Sequence, residues 1–197
     1  NAILTLLVAL VISPTASADV PATPACAARP PPGSIPALVC ADPELAALDR
    51  QLNQVYVAAS RRANNEHPPR LKAEQRGWIK GRDDCWKAVD DRRACVRGNY
   101  VQRIVELQAR YRLVDMKGPL RWQCAGNPAK ELVIHFYATE PPSLIAELGD
   151  QSSLMTLQPA ASGIHYLGRN EEYREHQGEA QVRWGHQATP MRCVLAG

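Results

Sequence analysis

The chain has 197 residues, of which 45% are hydrophobic and 22% charged, and its formal net charge is +3. It contains six cysteines, with neither a C-x-x-C pair nor a cysteine close to a histidine. This spacing argues against a structural zinc site and against thiol redox chemistry. The even cysteine number instead indicates disulfides in an exported protein.

Residues 1–18, NAILTLLVALVISPTASA, have the pattern of a secretory signal peptide that is truncated at its start. The apolar run before Pro14 is shorter than the roughly 18 to 20 residues that span a bilayer. The residues before Cys26 also make a poor lipid-anchor motif. We therefore expect cleavage near Ala18 and a periplasmic or secreted protein with no stable membrane anchor.

The two halves of the chain differ in charge on either side of Gly118-Pro119. Residues 19–118 contain 17 Lys and Arg against 12 Asp and Glu, a net +5, whereas residues 119–197 contain 6 against 8, a net −2. Two small domains are more natural than one large core at this length. The expected organisation is a Pro-rich leader at 19–38, a helical domain at 39–115, a linker at 116–120 and a second domain at 121–197.

Residues 39–115 predict a three-helix bundle. Asp42 is a suitable N-cap for a helix that starts at Pro43 and ends near Asn64. A second helix is expected from about Pro69 to Trp86. The third is indicated by apolar residues at helical spacing, namely Val96, Tyr100, Ile104, Leu107 and Tyr111. The prolines of the leader predict an extended tether.

Four cysteines are expected at one end of this bundle, where they can form two disulfides that stabilise a small core. They are Cys26, Cys40, Cys85 and Cys95. Three pairings are open, and pairing Cys26 with Cys40 and Cys85 with Cys95 closes the shortest loops.

The second half predicts a small antiparallel sandwich or barrel, so that the fold class is α+β in separate domains. Short β-rich segments bounded by turn residues occur at 131–138, 143–148, 152–158 and 179–185. Cys124 and Cys193 can join the first and last strands; the chain-entropy model gives such a bridge roughly 4 kcal/mol. The segment 161–180, ASGIHYLGRNEEYREHQGEA, is predicted to be a polar loop because its hydrophobic residues are sparse.

Other protein classes fit the sequence less well. It contains no G-x-S-x-G, H-E-x-x-H or phosphate-binding glycine loop, and its histidines are scattered, so we expect neither an enzyme nor a bound metal or cofactor. Few aromatic residues accompany the basic residues of the helical domain, so weak contact with the anionic cell envelope is favoured over nucleic acid. These basic residues are Arg61, Arg62, Arg92, Arg93 and Arg97.

The helical half resembles the LprI-type N-terminal domain of exported lysozyme-inhibitor proteins. The similarity covers about residues 26–113 and rests on VCADPELAALDRQLNQVY (39–56), LKAEQRGWIKGRDDC (71–85) and CVRGNYVQRIVEL (95–107). It implies a disulfide-bonded helical fold.

The second half resembles the MliC/PliC inhibitors of c-type lysozyme. The similarity rests on Trp122-Gln123-Cys124, LQPAASGIHY (157–166), the GEA step (178–180) and Cys193. It implies a small antiparallel β-barrel with one disulfide, between Cys124 and Cys193, and c-type lysozyme as the partner. In that family a loop enters the lysozyme cleft, and a Ser of an S-G-x-x-Y motif and a Lys fourteen residues later contact the catalytic carboxylates.

The resemblance assigns site residues on this chain. The family segment F-W-x-K-G-x-E-A aligns without a gap to YREHQGEA, so that His176 stands at the lysine position and Gln177 at the glycine position. The implied lysozyme-binding residues are Ser162, Gly163, Tyr166, Tyr173, Arg174 and His176, with Tyr166 expected mainly in packing.

The replacement of lysine by His176 bears on the strength of inhibition. A free imidazole is mostly neutral at pH 7, so the sequence predicts weaker or pH-dependent inhibition that improves below about pH 6.5. Arg174 is an alternative cation, since strand alternation puts it on the same face as His176. The competing interpretation is a periplasmic envelope-stress or binding module without potent inhibition. A run of acids, Glu171, Glu172 and Glu175, is expected to be solvated or to steer the approach of basic lysozymes.

Overall fold

The computed structural model describes residues 25–26, 29–66, 69–88, 90–127 and 129–196. The expected signal peptide and most of the leader lie outside these ranges. Within them, four α-helices and a short 3-10 helix are followed by an eight-stranded antiparallel barrel that is closed. A helical region followed by a small barrel confirms the predicted fold class.

The helices of the N-terminal region are α1 (Ile35–Ala41), α2 (Pro43–Arg62), α3 (Arg70–Asp83), the 3-10 helix (Asp84–Lys87) and α4 (Arg92–Arg110). Asp42 caps α2 as predicted, because its Oδ1 accepts hydrogen bonds from the backbone N–H groups of Glu44 (2.9 Å) and Leu45 (3.0 Å). The 3-10 helix continues α3 to the predicted end of the second helix.

Helix α1 corrects the expectation that the whole leader is an extended tether. Ser34 caps this helix and Pro36 lies in its first turn, where proline is tolerated because its missing N–H has no partner there. Ile35 and Val39 are 4% and 0% exposed and belong to the core of the helical region. The end of the leader is therefore a packed element.

The disulfides of the helical region join the cysteines that are nearest in sequence. Cys26 is bonded to Cys40, and Cys85 to Cys95. These are the pairings with the shortest loops, and they attach the chain before α1 to its helix and the 3-10 helix to α4.

A buried polar network links the three longer helices. Arg82 Nη1 of α3 donates to the Tyr100 hydroxyl of α4 (2.8 Å), which donates to Asp49 Oδ1 of α2 (2.7 Å). The guanidinium of Arg82 also lies 5.5 Å from the ring centroid of Trp78. Burial raises the pKa of the Tyr100 hydroxyl, which therefore stays protonated and able to donate.

The strands of the barrel are β1 (Met116–Cys124), β2 (Glu131–Tyr137), β3 (Ser143–Leu148), β4 (Gln151–Gln158), β5 (Ile164–Leu167), β6 (Glu172–His176), β7 (Glu179–Arg183) and β8 (Met191–Leu195). Each pairs with the next, and β8 pairs with β1, where Cys124 and Cys193 face each other and are bonded. Residues 116–120, expected as a linker, form the first part of β1, whose register shifts between Lys117 and Leu120.

The segment 161–180 is mostly strand, which corrects its prediction as a loop. It contains β5, β6 and the start of β7. Only one face of each strand points into a closed barrel, so few hydrophobic residues are needed. Here the buried face is supplied mainly by Tyr166, Tyr173 and Ala180, which are 6%, 0% and 0% exposed.

Candidate binding site

Ser162 and Gly163 end the loop between β4 and β5. Ser162 is exposed, and Gly163 has φ +68, in the left-handed region that favours glycine. A Cβ at position 163 would lie 2.1 Å from the backbone oxygen of Glu175 and 3.1 Å from Cβ of His176. Glycine is therefore required for the loop to approach the end of β6 this closely.

The turn between β6 and β7 forms the other side of the site. Gln177 and Gly178 both have positive φ, +54 and +80, as a type I′ hairpin turn requires. Glu175 Oε1 accepts the backbone N–H of Gly178 over 3.0 Å. The antiparallel order puts this turn and the loop of Ser162 at the same end of the barrel.

An open pocket of about 600 Å³ brings together three of the residues assigned by the sequence, Ser162, Arg174 and His176. Its other lining residues are Ile164, Glu175, Gln177, Glu179, Gln181 and Arg192. The exposed residues Arg174 and His176 alternate with buried Tyr173, so both point outward from β6 as strand alternation predicts. The pocket thus offers a hydroxyl, an imidazole and cations on one surface.

Two of the assigned residues lie in the barrel core. Tyr173 is 0% exposed and makes an edge-to-face contact with Trp122, with ring centroids 6.2 Å apart. Tyr166 is 6% exposed and packs in the same way against Phe136. Burial raises the pKa of both tyrosines. The packing role expected of Tyr166 agrees with this position, whereas direct contact by Tyr173 is incompatible with its burial.

Glu172 organises the charges on the outer face of β6. Its side chain is 15% exposed, Arg174 Nε donates to its Oε1 over 2.7 Å, and Arg183 donates to its Oε2. His165 Nε2 lies 3.0 Å from Oε1 without an aligned hydrogen bond. Burial alone would raise the pKa of Glu172, but the hydrogen bond from Arg174 and the nearby positive charges hold it below its usual 4.5.

Arg192 is the site residue that sequence reasoning missed. It lies on β8 opposite Gln181 of β7, and its Nε donates to Glu179 Oε2 over 3.1 Å. This hydrogen bond lowers the pKa of Glu179. Arg192 directly precedes the inward-facing Cys193, so strand alternation could have indicated its outward direction, though not its neighbours.

The carboxylates of the acidic run, Glu171, Glu172 and Glu175, form hydrogen bonds with other groups of the barrel. Glu171 Oε2 accepts the Ser153 hydroxyl over 2.8 Å, Glu172 binds arginines, and Glu175 accepts the turn N–H. These carboxylates therefore act first on the local structure, and their expected steering of a basic partner stays a prediction.

Part of the basic face of the helical region is also neutralised. Arg93 Nε donates to Asp42 Oδ2 over 2.7 Å, and Arg97 Nε to Glu44 Oε1 over 2.6 Å. These pairs join the start of α2 to the start of α4 and reduce the positive charge that an anionic surface would meet.

A larger cavity, of about 950 Å³, lies between α4 and the barrel. It includes none of the six assigned residues, and two of its arginines, Arg97 and Arg110, contact Glu44 and Glu106. The larger cavity thus contains none of the residues that the resemblance assigns, whereas the smaller pocket contains three of them. In the parts of the chain that the structure describes, no cluster of metal-ligating side chains occurs. No described helix is both long and apolar enough to cross a membrane.

Each half of the chain is similar to a known family of proteins. Residues 26–117 match the family model described as lysozyme inhibitor LprI, and residues 122–191 match the model described as membrane-bound lysozyme-inhibitor of c-type lysozyme, MliC. Proteins named Lipoprotein LprI from Mycobacterium bovis and Mycobacterium tuberculosis are 27% identical over 152 residues, covering 77% of this chain and 75% of each relative.

These matches bear on function and location. Both family models describe lysozyme inhibitors rather than enzymes, which supports a lysozyme-inhibitor role with lysozyme as the protein partner. The three disulfides and the lipoprotein relatives support an extracytoplasmic location. The chain is thus similar to LprI inhibitors over residues 26–117 and to MliC inhibitors over residues 122–191, in this order along the sequence.

Proposed function

We propose that this protein inhibits c-type lysozyme in the periplasm or outside the cell, and that the Ser162–His176 end of its barrel enters the lysozyme cleft. One observation carries the proposal: Gly163 packs against the end of β6, so that Ser162 and His176 border the same exposed pocket. Residues fourteen apart in sequence thereby form one surface.

The chemistry of the cleft fits this surface. A retaining glycosidase carries a proton-donating acid and a carboxylate about 5 Å apart. A hydroxyl and a cationic or imidazole donor are suited to hydrogen-bond such a pair. The exposed Ser162 supplies the hydroxyl, and His176, Arg174 or Arg192 supplies the imidazole or cationic donor.

The test is lysis of cell walls by a c-type lysozyme in the presence of the full chain. We expect inhibition, and a loss of at least tenfold in potency for Ser162→Ala. Ser152→Ala is the matched control, because Ser152 is an exposed strand serine outside this pocket. No inhibition at micromolar protein between pH 5 and pH 8 would contradict the proposal.

A separate experiment tests whether position 176 corresponds to the lysine of the family. His176→Lys should tighten lysozyme binding at pH 7.5, because lysine carries a permanent charge where histidine does not. Unchanged binding would show that this position does not correspond to the lysine of the family.

A binding module without potent inhibition is the second candidate. It is favoured by the pairing of both arginines at the site with glutamates, which leaves less charge for a partner. The lysis assay separates the two candidates, because a binding module would leave lysis unchanged.

A further inference from the structure

Two arginines border the candidate binding site, and each is paired with a carboxylate of the barrel. Arg174 Nε donates to Glu172 Oε1 over 2.7 Å. Arg192 donates to both oxygens of Glu179, through Nε to Oε2 over 3.1 Å and through Nη2 to Oε1. A partner's carboxylate can accept the donors that now bind the glutamate only if it replaces that glutamate. The arginine that exchanges at the lower cost therefore becomes the positive charge of the interface.

Arg174 is held by a largely buried carboxylate. The Glu172 side chain is 15% exposed and also accepts from Arg183. If Arg174 left, this carboxylate would lose a donor that water could replace only in part. Arg174 is therefore expected to stay with Glu172 when a partner binds.

Arg192 is held in an open pair. The side chains of Arg192 and Glu179 are 69% and 55% exposed, so water solvates both charges when they separate. Because the pair is bidentate, it is stronger than most exposed pairs, and a partner must offer a carboxylate that accepts the same two hydrogen bonds. Arg192 can thus exchange Glu179 for such a carboxylate without leaving a buried charge unpaired.

The strand register places Arg192 within reach of the rest of the site. Arg174 lies opposite Gln181, and Gln181 opposite Arg192, so the two arginines are two strands, or about 10 Å, apart. Both line the pocket that Ser162 borders.

We propose that Arg192 is the exchangeable cation of this surface: it leaves Glu179 and binds a carboxylate in the lysozyme cleft, next to the donor at Ser162. A guanidinium suits this role because it can bind a carboxylate through two parallel hydrogen bonds. The inference rests on the proposed lysozyme inhibition. It assigns the positive charge of the interface to Arg192 of β8 rather than to position 176.

The test compares binding of the full-chain protein and its variants to a c-type lysozyme by calorimetry at pH 7.5. Arg192→Gln should weaken binding about tenfold, since a charge-assisted pair is lost. Glu179→Gln should tighten it about twofold to fivefold, because Arg192 no longer has to leave a carboxylate.

A matched control is the pair of Arg121 and Glu131, which lies outside the pocket. Arg121 Nη1 lies 2.8 Å from Glu131 Oε2, and the side chains of Arg121 and Glu131 are 51% and 45% exposed. Arg121→Gln and Glu131→Gln change the net charge equally and should alter binding less than twofold. Thermal unfolding of each variant checks that the barrel is intact.

Each remaining outcome decides against the proposal. Equal losses in Arg192→Gln and Arg121→Gln would show that the loss is not specific to position 192. Weaker binding of Glu179→Gln would show that Glu179 does not compete with the partner for Arg192. Binding that Ser162→Ala weakens but Arg192→Gln does not would leave the proposed function standing and overturn the role of Arg192. Absence of binding by the unmodified chain would overturn both.

Discussion

Gly163 lies so close to Glu175 that a Cβ on Gly163 would stand 2.1 Å from the Glu175 backbone oxygen. The contact joins the loop that carries Ser162 to the end of β6, where His176 lies. The geometry of the site therefore depends on the absence of one methyl group.

Gly163→Ala should destabilise the barrel by at least about 2 kcal/mol and weaken lysozyme inhibition, because a backbone shift and a left-handed alanine are both unfavourable. Chemical denaturation measures the first effect and the lysis assay the second. Gly178→Ala is the control: Gly178 also has positive φ, but its Cβ would meet open space, so about 1 kcal/mol is expected. Equal losses in the two variants would refute the steric argument.

Gln177→Asn should stabilise the barrel by about 0.5 to 1 kcal/mol. Gln177 has φ +54, which asparagine tolerates better than glutamine, and Asn-Gly is the preferred sequence of a type I′ turn. Urea denaturation at neutral pH measures the gain. A loss of stability would mean that the Gln177 side chain contributes more than its backbone conformation costs.

Glu172→Gln should destabilise the protein by about 1 to 2 kcal/mol at pH 7 through the loss of its arginine partners. The pKa of Glu172 is lowered from 4.5, so its stabilising effect is fully present above pH 4.5 and is lost as the pH falls through the lowered pKa. Unfolding curves of the two proteins should therefore converge in acid. A difference that persists unchanged at pH 2 would contradict this assignment.

Tyr100→Phe should destabilise the helical region by about 1 to 3 kcal/mol, because Arg82 and buried Asp49 both lose the hydroxyl that joins them. Thermal unfolding followed by circular dichroism measures the loss. Tyr56→Phe, at a half-buried tyrosine of the same region, is the control and should change stability by less than about 0.5 kcal/mol. Similar losses in both would argue against the network.

The confirmed predictions were mainly those that depend on residues close together in the sequence. The cap at Asp42, the helical spacing of α4 and the strand pattern of β3 all depend on side chains a few positions apart. The Cys124–Cys193 bridge was expected from the positions of the two cysteines near the first and last strands, and the resemblance implied it as well; the barrel contains it. Part of the site followed in the same way, since the outward direction of Arg174 and His176 depends only on strand alternation.

The sequence by itself thus determined the helical first half and the β-rich second half, because caps, turns and hydrophobic periods are local. Only the tertiary structure decided that α1 packs, that 161–180 forms strands, that Tyr173 is buried and that Arg192 meets Glu179. These features arise where separate segments meet, through core packing for α1 and through the pairing of β5 to β8 within the closed barrel. No local pattern encodes such contacts.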